Sequence, residues 1–254
     1  MVLLGPIAGD YNVLELWFRF YGQLNDFLPA AYRRGRFRHV IQTPASVKDV
    51  IEALGVPHPE VDILIVNGEP RDFTCRLQNG DRISVYPPFR SVDVAGVRRA
   101  GSDPPDPRRF AVDIHVRKLA SRLRLAGFDS VVLTDDAELA QVAASEERIL
   151  LTRDVGLLKR GMVRHGYWVR HTDPELQLAE VVEHFDLLGR MHPFTRCIRC
   201  NTLLVATDRS AVAARVPARV LELFDEFREC PGCKRVYWKG THYTRLVELV
   251  ERLY

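Results

Sequence analysis

Phe110-Ala111-Val112-Asp113, Val131-Val132-Leu133-Thr134-Asp135-Asp136, Ile149-Leu150-Leu151-Thr152-Arg153-Asp154 and Tyr167-Trp168-Val169-Arg170-His171-Thr172-Asp173 repeat one pattern, a short apolar run that ends in aspartate. Each run reads as a strand, and a stretch of helical periodicity follows each one. Such alternation predicts a parallel sheet with right-handed crossovers and helices on its faces. All the strand carboxyl ends then share one edge, which is where open sheets of this kind bind ligands. Aspartates spread from residue 113 to residue 173 are therefore expected to meet in one acidic cluster.

Carboxylates gathered on one edge repel one another. Two of them ~5 Å apart at an effective dielectric of ~20 cost roughly 3 kcal/mol. A hard dication relieves this, and Mg²⁺ or Mn²⁺ takes the oxygen ligands on offer. One or two such ions orient a water, lower its pKa and stabilise charge on a phosphate, the requirements of phosphodiester hydrolysis. Asp113, Asp136 and Asp154 are the expected metal ligands and catalytic residues, with Asp173 as an outer or second-metal ligand. Asp113, Asp154 and Asp173 also have a capping reading, because aspartate suits a helix N-cap. Asp135, with Glu138 three residues on, starts a capping box and is assigned to that role, though Glu138 rivals Asp136 as a ligand. Asp173 precedes Pro174, the arrangement a helix start favours.

After Asp113, the residues Val116, Leu119, Ala120, Leu123 and Ala126 recur at helical spacing until Gly127 stops the helix. The other face carries Arg117, Lys118, Arg122 and Arg124, a basic surface for a nucleic-acid backbone. Lys118 is placed to contact the scissile phosphate. Arg153 either does the same or fixes its loop.

The chain has 254 residues, 46% hydrophobic and 27% charged, with a net charge of +3. This composition supports a packed core in one or two domains and excludes global disorder. No apolar run approaches the ~20 residues of a membrane span, and no secretory signal is evident. A cytoplasmic protein without disulfides is the expectation.

Residues 1–89 read as one small unit. Val13 to Phe20 and Arg38 to Gln42 suggest two strands, Ser46 caps a helix that ends at Leu54-Gly55, and Ile63-Leu64-Ile65-Val66 is a third strand. Asn67-Gly68 signals a hairpin, and Gln78-Asn79-Gly80-Asp81 turns into a last strand from Arg82 to Tyr86. With Val66-Asn67-Gly68 and Leu77-Gln78-Asn79-Gly80-Asp81-Arg82-Ile83, the order resembles the ubiquitin-like β-grasp of the sulfur carriers. The Gly-Gly tail those carriers activate is replaced by Tyr86-Pro87-Pro88-Phe89. A binding module, with a protein partner, is the reading that remains. Residues 90–107, rich in Gly, Pro and Arg, read as a linker.

Cys197-x-x-Cys200 and Cys230-x-x-Cys233 supply four thiolates for one structural Zn²⁺. The long gap between them holds an insertion in which Ala218 to Phe227 reads as a helix. Arg199, Lys234, Arg235, Trp238 and His242 interleave charge with aromatic rings beside the knuckles, a pattern suited to single-stranded nucleic acid.

Asp113-x-x-x-x-Lys118-Leu119-Ala120-x-x-Leu123-Arg124-x-x-Gly127-Phe128-Asp129, Arg148-Ile149-Leu150-Leu151-Thr152-Arg153-Asp154, Arg196-Cys197-x-x-Cys200-Asn201 and Cys230-Pro231-x-Cys233-x-x-Val236-Tyr237-Trp238-x-Gly240-x-His242 together resemble the Mut-seven C-terminal RNase domain. The resemblance covers residues from about 108 to 250, and the preceding unit resembles the ubiquitin-like domain often attached to it. It implies a PIN-like nuclease domain over 108–190, a zinc-ribbon subdomain over 191–254 and a metal-dependent endoribonuclease acting on RNA. Asp113 and Asp154 are the positions it supports best. A non-catalytic RNA-binding adaptor, using the ribbon and the basic helix, is the alternative.

Overall fold

Leu14, Leu16, Phe18 and Phe20 alternate with Glu15, Trp17 and Arg19, and this period of two builds β1 (Leu14–Phe20) with one buried face. The computed structural model describes residues 13–88 and 100–253, apart from a few side chains of the last helix. The chain forms two units, residues 1–102 and residues 103–254. In the first, β1 is followed by β2 (Phe37–Ile41), α1 (Val47–Ala53), β3 (Ile63–Val66), β4 (Glu69–Arg71) and β5 (Arg82–Tyr86). Ser46 and Asp49 make the capping box that starts α1. Asn67 and Gly68 both take positive φ, which a two-residue hairpin of the primed type requires, and they join β3 to β4. The sheet order is β2-β1-β5-β3-β4, with β1 and β5 parallel at its centre. That is the β-grasp arrangement expected from the sequence. The expected linker falls mostly on residues 89–99, outside the described residues. Ala100 and Gly101 donate to the Asp62 carbonyl and so belong to the first unit.

The second unit runs β6 (Arg109–Asp113), α2 (Arg117–Leu125), β7 (Asp129–Leu133), α3 (Asp136–Ser145), β8 (Ile149–Thr152), α4 (Val155–Leu158), β9 (Gly166–Trp168) and α5 (Pro174–His184). All strand pairs are parallel, in the order β7-β6-β8-β9. Phe110, Val112, Ile149 and Leu151 point to the face covered by α2 and α5. Ala111 and Leu150 point to the face covered by α3 and α4. Burial on both faces explains why these strands read as unbroken apolar runs. From β6 the chain steps to β7 on one side and later to β8 on the other. The switch point of the sheet therefore lies between β6 and β8.

The remainder holds β10 (Val205–Thr207), α6 (Arg209–Val212), α7 (Ala218–Leu223), β11 (Phe227–Glu229), β12 (Val236–Tyr237) and α8 (Thr241–Leu253), with β10, β11 and β12 in one antiparallel sheet. The helix expected over Ala218 to Phe227 stops at Leu223. Phe227 is a buried strand residue paired with Thr207, so long-range pairing overrides local helical periodicity. No helix of the described residues is long and apolar enough to cross a membrane.

Candidate active site and metal centre

Asp113 closes β6 and is only 4% exposed. Register places it beside Thr152 at the end of β8, whose buried hydroxyl donates to Asp113 Oδ2 at 2.6 Å. Asp113 Oδ1 accepts from the His115 amide at 3.0 Å and from His115 Nδ1 at 2.8 Å. Burial pushes the Asp113 carboxyl up, but the Thr152 hydroxyl and the His115 amide and ring outweigh it and hold the group below the usual carboxylate range. The Thr152 oxygen also accepts from the Asp154 amide at 2.9 Å. One buried hydroxyl thus joins the two aspartates that flank the switch point. His115 and Thr152 carried no role in the sequence reading, and the one available signal was their spacing from Asp113 and Asp154. The 78% exposed His115 side chain stands at the mouth of this arrangement.

The other acids fall on the same strand edge without converging. Asp135 caps α3 by accepting from the Glu138 amide at 2.8 Å. Asp136 lies exposed in the first turn of α3. Asp154 caps the short α4 through the Gly156 amide at 2.7 Å, and Asp173 caps α5 through the amides of Glu175 and Leu176. Among the described residues, the four cysteines are the one set of three or more His, Cys, Asp or Glu side chains with ligand atoms within 4.8 Å of one another. No three of the expected acids bring their oxygens that close together. Capping turns Asp154 and Asp173 back onto their own helix starts, and Asp113 turns inward to Thr152.

The basic residues divide in the same way. Arg117 and Lys118 are exposed on α2, and Arg122 is ion-paired to Glu175 at 2.7 Å. Arg124 was expected on the nucleic-acid face, but it is 8% exposed. Its guanidinium donates to the carbonyls of Ser130, Ile198 and Arg199, which makes it a brace between β7 and the first cysteine knuckle. Arg153 fixes its loop, donating to the carbonyls of Val169, Arg170 and His171. Arg199, Lys234 and Arg235 are exposed, whereas Trp238 is half-buried against Val212, Val216 and Phe227. The His242 side chain lies outside the described residues.

Cys197 and Cys230 are buried, and their sulfurs accept the amides of Cys200 and Cys233 at 3.4 Å. The sulfurs of Cys200 and Cys230 lie 3.3 Å apart, and those of Cys197 and Cys233 lie 3.6 Å apart. Tetrahedral Zn²⁺ with bonds of ~2.3 Å needs sulfur edges of about 3.8 Å, so the set fits that ion closely. Thr202 and the neighbouring thiols bring Cys200 down to about 6, while burial and the same neighbours push Cys233 up to about 12. That split is how four crowded thiols share charge, and a dication removes it by binding all of them as thiolates. Asp129 ties this centre to the sheet. Its carboxylate takes Arg148 Nη1 at 2.6 Å, Asn201 Nδ2 at 2.9 Å and Arg196 Nη1 at 3.7 Å, and Asn201 Oδ1 accepts from the Ser130 amide.

A family model described as Mut7-C RNAse domain matches residues 108–250, and one described as Mut7-C ubiquitin matches residues 14–93. A solved structure, the solution structure of the Haloferax volcanii HVO 2177 protein, matches 33% of this chain and 96% of its own at 22% identity, with a TM-score of 0.26. No curated protein matches the chain. The parallel sheet ending in Asp113 and Asp154, the tetracysteine centre behind it and the β-grasp unit before it are the parts these models describe, and the chain belongs to the Mut7-C RNAse domain family.

Proposed function

We propose that the protein is a metal-dependent endoribonuclease with Asp113 and Asp154 as its principal catalytic pair. The observation that carries this reading is the buried, ionised Asp113 at the sheet's switch point, joined through Thr152 to the backbone amide of Asp154, just beyond the end of the next strand. Mg²⁺ commonly keeps several waters and uses one or two carboxylates plus substrate phosphates, so two aspartates are a sufficient protein share. Such an ion would supply an activated water and charge stabilisation on the phosphate. Asp136 and Asp173, at the starts of the helices that follow the flanking strands β7 and β9, are the further ligands if a second ion binds. Thr152 and His115 hold Asp113 ionised and aimed. Lys118, exposed in the first turn of α2, meets the phosphate backbone together with Arg117. The four cysteines hold one structural Zn²⁺, which leaves no open position for catalysis. In this reading residues 1–89 are the β-grasp domain, 90–107 the linker, 108–190 the nuclease domain and 191–254 the zinc-ribbon subdomain. The test is cleavage of a mixed RNA pool with Mn²⁺ present. Asp113→Asn and Asp154→Asn are expected to lose cleavage, and wild-type rates in both sink the proposal.

A second reading has its own observation, the use of Asp135, Asp154 and Asp173 as helix caps. On that reading the protein is a non-catalytic RNA-binding adaptor. It predicts salt-sensitive RNA binding that ignores added Mn²⁺, with no cleavage by the wild type.

A further inference from the structure

In the first unit, Trp17 lies directly opposite Arg38 of β2 and Arg82 of β5. A single row across three neighbouring strands therefore reads Arg38–Trp17–Arg82. Paired residues project from one face of a sheet, and the alternation in β1 sends Leu16 and Phe18 to the opposite, core-facing side. Trp17 stays 38% exposed, and Arg19, Arg38 and Arg82 are exposed around it. Further along the face, the Arg19 guanidinium carbon is 4.7 Å from the Tyr21 ring centroid, and Tyr21 stacks on Tyr86 at 4.2 Å. Glu15 is the acidic residue that β1 adds to this face, and it pairs with Arg38. The loop entering β2 adds exposed Arg33, Arg34 and Arg36.

A tryptophan flanked by arginines on an open sheet offers a ring for a base and cations for the phosphates on either side. A protein partner would want an apolar centre. Here Trp17 and Val40, at the β2 side of the row, are the exposed large hydrophobics of the positions β1 pairs with; half-buried Ile65 and Pro70 lie beyond Ser84 on the Arg19 row, and the positions beside Trp17 are cationic or polar. We propose that this face of the β-grasp unit is a platform for single-stranded RNA, with a base stacked on Trp17 and its neighbouring phosphates held by Arg82 and Arg19. The choice of RNA as the strand rests on the proposed function; the platform rests on the sheet.

The test uses the full chain and a labelled oligouridylate of about 15 nucleotides, in buffer without added Mg²⁺ or Mn²⁺, with binding read by fluorescence anisotropy. Trp17→Ala is expected to weaken binding about tenfold and Trp17→Phe by less than about threefold, because a phenyl ring still stacks. Arg19→Gln with Arg82→Gln should lower the slope of log affinity against log salt by about 1.4. Unchanged zinc content and far-UV circular dichroism show that the variants fold. Affinity unmoved by every one of these variants overturns the platform and leaves the face to a protein partner. A Trp17→Phe loss as large as that of Trp17→Ala overturns the stacking contact. The binding is read without Mg²⁺ or Mn²⁺ and so without cleavage, and failure of the nuclease reading is therefore read separately.

Discussion

At the scale of single residues, the acid site is a matter of who solvates Asp113. The side chain is nearly buried, and a threonine hydroxyl with a histidine amide and ring supplies its hydrogen bonds. Asp129 is held down in a parallel way: burial raises it, and Arg148 and Asn201 more than compensate. Both carboxyls therefore sit below their ordinary value of 3.8 in the folded chain. The unfolded chain binds these protons first as pH falls. Their contribution is complete above the ordinary value and is lost as pH drops through the folded one. Glu180 has the opposite sign. Burial raises it despite the amides of Arg170 and His171, so acid removes a cost there and softens the loss. Thr152→Val deletes the largest contact lowering Asp113 and strands the Asp154 amide. It should cost about 1–3 kcal/mol near neutral pH. The variant should then lose less additional stability than wild type between about pH 6 and pH 3, since Asp113 has less to lose. Urea titrations across that range check the prediction, and protonation of the cysteines cancels between the two proteins. A gap between wild type and variant that stays constant with pH would contradict the role given to Thr152.

At the scale of elements, α2 serves two neighbours at once. Its apolar stripe (Leu119, Ala120 and Leu123) packs on the sheet, while Arg124 reaches past its end to the carbonyls of Ile198 and Arg199 in the first knuckle. Gly127 allows the chain to leave α2 at that point. Its φ is +99°, and a Cβ there would lie 2.3 Å from the His192 carbonyl oxygen. The helix end and the knuckle are therefore built against each other. Arg124→Met keeps the length and apolar stem of the side chain but leaves three buried-side carbonyls without their donor. A loss of about 2–4 kcal/mol is expected. If the brace shapes the knuckle, the variant should also release zinc faster to a chromophoric chelator. A variant that is destabilised but has a wild-type release rate would confine Arg124 to holding the helix.

At the scale of the whole molecule, what could be read in the chain was what local pattern dictates. Phe110–Val112 and Ile149–Thr152 announce buried parallel strands by their unbroken apolarity, and the four cysteines announce a metal centre by spacing alone. Arg124 was misread because a helical wheel places it on the polar face. Its burial comes from carbonyls 74 and 75 residues away, which no local pattern carries. Thr152 was missed for the same reason, since its value depends on the β6–β8 register, whereas His115 is a local partner two residues from Asp113. The aspartates were seen and so was their capping reading, but capping and catalysis favour the same residue at a strand end, and only the fold shows the amides that Asp154 and Asp173 accept. The two units separate in the same terms. The first has a core of its own around Phe18, Phe20, Ile51 and Leu64, and the four-cysteine set belongs wholly to the second. Zinc bound to such knuckles contributes on the order of 10 kcal/mol, comparable to the whole stability of a domain. Its removal by a chelator should therefore open the second unit far more than the first. Hydrogen exchange read by mass spectrometry should show protection lost in α2, β7 and the knuckle segments. Protection should persist in α1, β1 and β5, whose hydrogen bonds and packing lie within the first unit. Equal loss in both units would mean that their stabilities are coupled and that two separate cores do not make two cooperative units here.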